Sequence, residues 1–244
     1  MSKVAFEPVP APTSVPTPAN VPAPLRPMLV LIGVFLAMGL FGLLGQRQAA
    51  GEVTLPLPAS RTAVYLGLIA MEWGLVWYVW KAGVAGSGTS LRDLIGGRWS
   101  GFRDVAVDAA IGLTTWGAWG LAGSLWDRWS APDPAASVQS LLPQRPHEVA
   151  LWIALSISAG FAEELVFRGY LQRQFRALTG SLPLAVLLQA ALFGVSHGYQ
   201  GVHKCLRICA YALLFGCLTA WRRSLRPGML AHAWTDVASG LFRL

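Results

Sequence analysis

Apolar residues in this chain come in long, nearly uninterrupted runs, without the wet face that an amphipathic helix shows every third or fourth residue. Met28 to Gly45 holds 18 residues without a charge. As a helix it would be about 27 Å long, close to the ~30 Å hydrocarbon core of a bilayer. Similar runs follow: Thr62 to Trp80, broken only by Glu72; Ala109 to Trp126, uncharged; and Ile208 to Trp221, also uncharged. Three others meet ionisable groups: Val149 to Ala162 runs into Glu163-Glu164, Leu182 to Ser196 runs into His197, and Pro227 to Phe242 contains His232 and Asp236. The runs predict an all-α polytopic membrane bundle of about seven transmembrane helices, within a range of six to eight. Trp73, Trp77, Trp80 and Trp126 are expected near span ends, where interfacial aromatics are favoured.

Composition supports this reading. Of 244 residues 54% are hydrophobic and 13% charged, with mean hydropathy +0.49, where a soluble domain carries about 25% charged residues. Three cysteines with no C-x-x-C pair exclude a disulfide scaffold and a zinc ribbon. The formal charge is +7, but its arginines and lysines are scattered between apolar runs, which suits loops flanking spans and gives no phosphate-tracking stripe, so no nucleic-acid partner is expected. Residues 1–27 hold eight of the sixteen prolines and read as a disordered Pro-rich N-terminal tail. Counting basic residues by alternate sides puts eleven with the N-terminus, including Arg92, Arg98, Arg222 and Arg226, and seven opposite. The excess predicts a cytoplasmic N-terminus.

A charge at mid-bilayer costs about 2.5–3.5 kcal/mol on insertion scales, so ionisable groups inside the apolar runs should face the bundle interior and mark a site. Glu164 and Arg168 are an i,i+4 pair with the acid first, the favourable order for a salt bridge. Glu163, about 100° away on an α-helix, is left free for another role. His197 closes the run Phe193-Gly194-Val195-Ser196-His197. If the helices on either side of Thr179-Gly180 form a hairpin, Glu163 and His197 lie 17 residues before and after Gly180 and so at equal depth. His232 and Asp236 are again i,i+4, although His232 lies so soon after the Arg226-Pro227-Gly228 turn that level alignment with His197 needs a tilted or re-entrant helix. Each group also has a plainer reading: a buried ion network for the first, a capping histidine for the second, a tautomer-fixing hydrogen bond for the third.

Other chemistries lack their residues. His147-Glu148 is followed at the required position by Leu151, so H-E-x-x-H is absent. The run Ala85-Gly86-Ser87-Gly88 does not give a G-x-S-G serine motif, and Cys205, Cys209 and Cys217 fall at scattered helical phases that suit core packing.

The ordered set E-E-x-x-x-R, F-x-x-x-H and H-x-x-x-D, here Glu163, Glu164 and Arg168, then Phe193 and His197, then His232 and Asp236, resembles the CPBP (Abi) family of intramembrane proteases, which includes the type II CAAX prenyl endopeptidases. The resemblance covers roughly residues 147 to 243 and implies a catalytic helical core at 147–243 behind N-terminal transmembrane helices at 28–146. It implies an intramembrane endopeptidase acting on a membrane-associated protein or peptide, near its C-terminus, as in CAAX, sorting-tag or leader processing. Localisation would be a bacterial inner membrane. Glu163, assisted by His197, would activate water; His232 and Asp236 would support the oxyanion, an ionised Asp236 accepting from His232 but unable to donate. Glu164, Arg168 and Phe193 would support the site. A metal-free, glutamate-type mechanism is favoured; zinc is the alternative, with Glu163 or Glu164, His197 and His232 as ligands. The competing function is a non-catalytic membrane scaffold or bacteriocin-immunity protein of the same fold. A small transporter would call for discontinuous helices in both halves, and the charges cluster in the second.

Overall fold

The computed structural model describes residues 25–49, 60–85, 87–129 and 141–242. Every regular element among them is helical: α1 (Leu25–Ala49), α2 (Arg61–Tyr78), α3 (Leu91–Ile95), α4 (Phe102–Trp129), α5 (Pro146–Glu163), α6 (Gln172–Thr179), α7 (Leu182–Ser196), α8 (Val202–Arg222) and α9 (Arg226–Phe242). The seven apolar runs thus fall on α1, α2, α4, α5 and α7–α9, an all-α bundle as expected. Among the described residues five helical stretches, Leu25–Gln46, Arg61–Val84, Phe102–Arg128, Pro146–Thr179 and Val202–Arg222, are long and apolar enough to cross a membrane; α7 is apolar but shorter. The expected Pro-rich tail lies outside the described residues as far as residue 24, as do Gly86 and Arg243, and α1 opens at Leu25.

Local chemistry sets the ends. Ser60 caps α2 by accepting from the Ala63 N–H, and Ser181 caps α7 by accepting from that of Leu184. Gly180, at φ 66°, ends α6 in the left-handed conformation that glycine adopts without a Cβ clash, and Leu182-Pro183 begins the return. The expected reversal at Thr179-Gly180 is therefore present. Between α5 and α6 the chain does not break but widens: Glu164–Leu171 is π-helical, closed by the Gln172 N–H on the Phe167 carbonyl five residues back. Such wide turns recur at functional sites. All eight residues of this turn are buried.

Close backbone approach brings α9 onto α5 in antiparallel register. A Cβ on Gly160 would stand 2.8 Å from that of Ala233, and one on Gly228 would stand 3.2 Å from Glu164 Oε2. Nearer the start of α5, the Trp152 indole donates to the Asp236 carbonyl at 2.8 Å and packs over Gly240. Small residues at a helix crossing are how membrane helices gain contact without a hydrophobic drive between them. α2 lies on another side of α5, where Trp73 donates to Ser158 Oγ at 3.2 Å and stacks on Phe161 with ring centroids 5.6 Å apart. Trp73 is therefore a mid-span contact and not an interfacial anchor at a span end.

Candidate active site

The wide turn after α5 carries Glu164 and Arg168, both with side chains fully withdrawn from the surface. Arg168 Nη1 lies 3.1 Å from Glu164 Oε1, so the expected pair forms. Its guanidinium also lies over Phe193, 4.4 Å from the ring centroid, with Phe215 at 5.7 Å. Burying a charge away from water is tolerable only with a partner, and here the carboxylate and two aromatic faces supply it.

His232 reaches the same carboxylate from α9. Its Nδ1 lies 2.9 Å from Glu164 Oε1, while its Nε2 lies 3.6 Å from Glu163 Oε2 and 3.7 Å from Asp236 Oδ2. The carboxylate that fixes the ring is thus Glu164, and Asp236 stands beyond hydrogen-bond length. Because an ionised carboxylate only accepts, Nδ1 carries the hydrogen and Nε2 is turned toward Glu163 and Asp236. Glu163 Oε2 is buried without a hydrogen-bond partner among the described residues, as are Glu164 Oε2 and Glu72 Oε2.

Glu72 joins this cluster from α2. It is 4% exposed, in contact with the carboxyl of Glu163, and brought to this depth by the Trp73 contacts with Ser158 and Phe161. The sequence shows it as a lone charge in an apolar run, which is the available signal; nothing near it in the chain connects it to Glu163. Carboxyl groups hydrogen-bond one another only through a shared proton, so the pair is suited to proton transfer.

His197 is placed differently. Its Nδ1 lies 2.8 Å from the Phe193 carbonyl, which can only accept, so Nδ1 carries the hydrogen and Nε2 presents a lone pair. The ring approaches the others through Phe193, whose centroid is 4.6 Å from His197 and 6.2 Å from His232. Phe193 therefore touches both histidines and Arg168, at the middle of the assembly. α1 closes this end: Gly39 packs against Val195, and Gln46 donates to the Gly198 carbonyl.

The zinc alternative requires three donors converging on one point. Among the described residues no three His, Cys, Asp or Glu side chains do so. As placed, the set does not fit a tetrahedral ion, and no step is derived through one.

No curated protein and no solved structure matches the chain. Residues 145–238 match the family model described as type II CAAX prenyl endopeptidase Rce1-like, and this match spans the segment carrying Glu163, Glu164, Arg168, His197, His232 and Asp236, in agreement with the resemblance to the CPBP intramembrane proteases.

Proposed function

We propose that the chain is a glutamate-type intramembrane endopeptidase that hydrolyses a peptide bond near the C-terminus of a membrane-associated protein or peptide, in a bacterial inner membrane with the N-terminus cytoplasmic. The observation that carries this reading is the buried cluster in which Glu163 Oε2, without a hydrogen-bond partner, stands 3.6 Å from His232 Nε2 while Glu164 holds the far side of that ring at 2.9 Å. Water between Glu163 and a substrate carbonyl carbon would lose its proton to the carboxylate as its oxygen attacks. His197, with Nε2 unprotonated, accepts a second hydrogen of that water and aims its lone pair. Negative charge then gathers on the carbonyl oxygen, and His232, protonated at Nε2, donates to it. Collapse of the tetrahedral species returns the proton from Glu163 to the leaving amine. Asp236, 3.7 Å from Nε2, places negative charge beside the protonated ring, and Glu164 with Arg168 keeps the imidazole in register. Phe193 spaces the two histidines, and the bilayer and the apolar helices limit water to what the polar cluster admits.

The test compares C-terminal fragments in membranes of the native host carrying wild type, Glu163→Gln or His197→Ala. A general base contributes about 10²–10⁴-fold to rate, so Glu163→Gln, which keeps size and shape, should lose processing by at least about 100-fold at equal protein level. Unchanged processing in both variants would defeat the proteolytic reading in favour of a scaffold or immunity role. Full activity in chelator is expected of the metal-free mechanism; loss restored by zinc would overturn that part.

A further inference from the structure

Away from the catalytic cluster, a cavity of about 140 Å³ opens where the loop between α3 and α4 meets the turn between α8 and α9. Four arginines, Arg98, Arg222, Arg223 and Arg226, line it against two carboxylates, Asp104 and Asp108. Both carboxylates are already committed. Asp108, 1% exposed, accepts from Arg222 Nε and from the Trp99 indole, each at 2.8 Å. Asp104 accepts the Ser100 N–H at 2.9 Å and its hydroxyl at 2.5 Å, closing the start of α4. Arg226 donates to the Gly97 carbonyl, and its guanidinium lies 4.7 Å from the Trp99 ring centroid. That accounts for the acids and leaves Arg98 and Arg223 with no hydrogen-bond or ion-pair partner among the described residues.

Arg223 also sits in an unusual backbone conformation. At φ 56° and ψ 31° it is the one non-glycine residue with positive φ among the described residues, at the position ending α8 where glycine fits without a Cβ clash. Folding alone would favour glycine there; arginine keeps a guanidinium at the cavity. The wall behind it is preformed, because Gly96 approaches the Arg223 carbonyl so closely that a Cβ would stand 2.7 Å away. The Leu225 N–H ties the same turn to the Ile95 carbonyl at 2.9 Å.

Two free guanidinium forks beside two tethered ones, lining one cavity, supply the donors that suit a phosphate group, which accepts paired N–H bonds from arginine. The cavity lies at helix ends, where α4 and α9 begin and α8 finishes, the level at which headgroups meet a bundle. We infer that this cavity is a phosphate-binding site that takes the headgroup phosphate of an anionic phospholipid. It stands independently of the proteolytic reading, since none of its residues belongs to the catalytic cluster.

The experiment uses the purified full chain in detergent, with phosphatidylglycerol or phosphatidylcholine added and retained lipid counted by native mass spectrometry. The variants are Arg98→Ala/Arg223→Gly, Arg223→Gly alone, and Arg128→Ala as a basic residue outside the cavity. Wild type and Arg128→Ala should retain phosphatidylglycerol over phosphatidylcholine, and the double variant should lose this by about tenfold or more, as expected for charge-assisted bonds. Arg223→Gly relieves the backbone, so its melting temperature should equal or exceed that of wild type while retention falls several-fold, separating lost binding from lost folding. Should inorganic phosphate at millimolar concentration raise the wild-type melting temperature, but not that of the double variant, while lipid fails to bind, the site stands and its ligand is free phosphate. Equal lipid retention by wild type and double variant, or binding of neither probe, overturns the inference.

Discussion

Arg168 shows how much the site depends on one buried pair. With its guanidinium against Glu164 and two phenylalanine rings, removing it leaves a carboxylate buried beside His232 with its principal partner gone. Arg168→Met should therefore destabilise the folded chain by about 3–5 kcal/mol, read as a lower unfolding midpoint in detergent. The double variant Glu164→Leu/Arg168→Met should recover most of that stability, since a buried ion pair contributes little net against apolar packing. It should nevertheless remain inactive, because His232 would have lost the group that holds Nδ1. These residues could be read from the sequence because charges inside apolar helices are costly, so each one calls for a partner. Glu72 is the instructive contrast. It breaks an apolar run as plainly as Glu163 does, yet its partner belongs to α5, and only folding joins the two. Glu72→Leu should lower processing by at least about tenfold with unfolding little changed, if the carboxyl pair serves proton transfer; full activity in that variant would make Glu72 a bystander.

The pairing of α5 with α9 decides whether those side chains meet at all. Gly160 and Ala233 bring the two backbones together, and Glu164 meets His232 only at that spacing. Gly160→Leu would force the helices apart, with an overpacking cost of about 1–3 kcal/mol, and activity should fall further than stability because the 2.9 Å contact to Nδ1 would open. The comparison is between the unfolding midpoint and processing rate of that variant; equal activity with reduced stability would deny the spacing its role. Apolar runs were enough to place seven helices, although only five of the helical stretches among the described residues reach the length that bilayer thickness requires. The wide turn at Glu164–Leu171 escaped the sequence because no local pattern marks i to i+5 bonding; in the fold Gly169 lies against Leu225 and Gly228 against Glu164. Equal counting from Gly180 set His197 at the depth of Glu163 but did not show the ring contact that His197 makes with Phe193 in the fold. Short α3 offers a separate pH test outside the spans. Ser90 donates its hydroxyl at 2.6 Å and its N–H at 2.8 Å to Asp93, holding that carboxyl below the usual carboxylate range. A lowered folded value means that this bond contributes fully above the unfolded value and is lost as pH falls through the folded one. Amide exchange at Asp93 and Leu94 of α3 should therefore speed up in acid relative to that of α8 and α9, and Asp93→Asn should exchange faster at neutral pH with that acid dependence gone.

The molecule as a whole is inside out relative to a soluble bundle. Leu40, Phe41, Leu113 and Leu121 are 58–69% exposed, while Glu164 and Arg168 are at most 1% exposed. A surface of leucine around a core of ions is stable only in hydrocarbon, where the apolar side costs nothing and each interior charge must be paired. The two ends of this bundle differ in charge. One gathers Arg92 on α3, Arg173, which donates to the Asp93 and Leu94 carbonyls, and the four arginines of the α8–α9 cavity. The other carries Asp127 paired with Arg207 at 2.8 Å and Lys204 at 3.5 Å, so part of its basic charge is neutralised. Arginine-rich ends are retained on the cytoplasmic side during insertion, so the Arg92 end should face the cytoplasm and the Asp127 end the opposite compartment. Replacing Cys205, Cys209 and Cys217 with serine and then introducing Arg92→Cys or Arg128→Cys, both at exposed positions, gives one probe per end. A membrane-impermeant maleimide added to intact cells, with any outer envelope permeabilised, should modify the Arg128→Cys variant at once and the Arg92→Cys variant only after lysis. The reverse pattern would invert the bundle and place the phosphate cavity against the outer leaflet of that membrane.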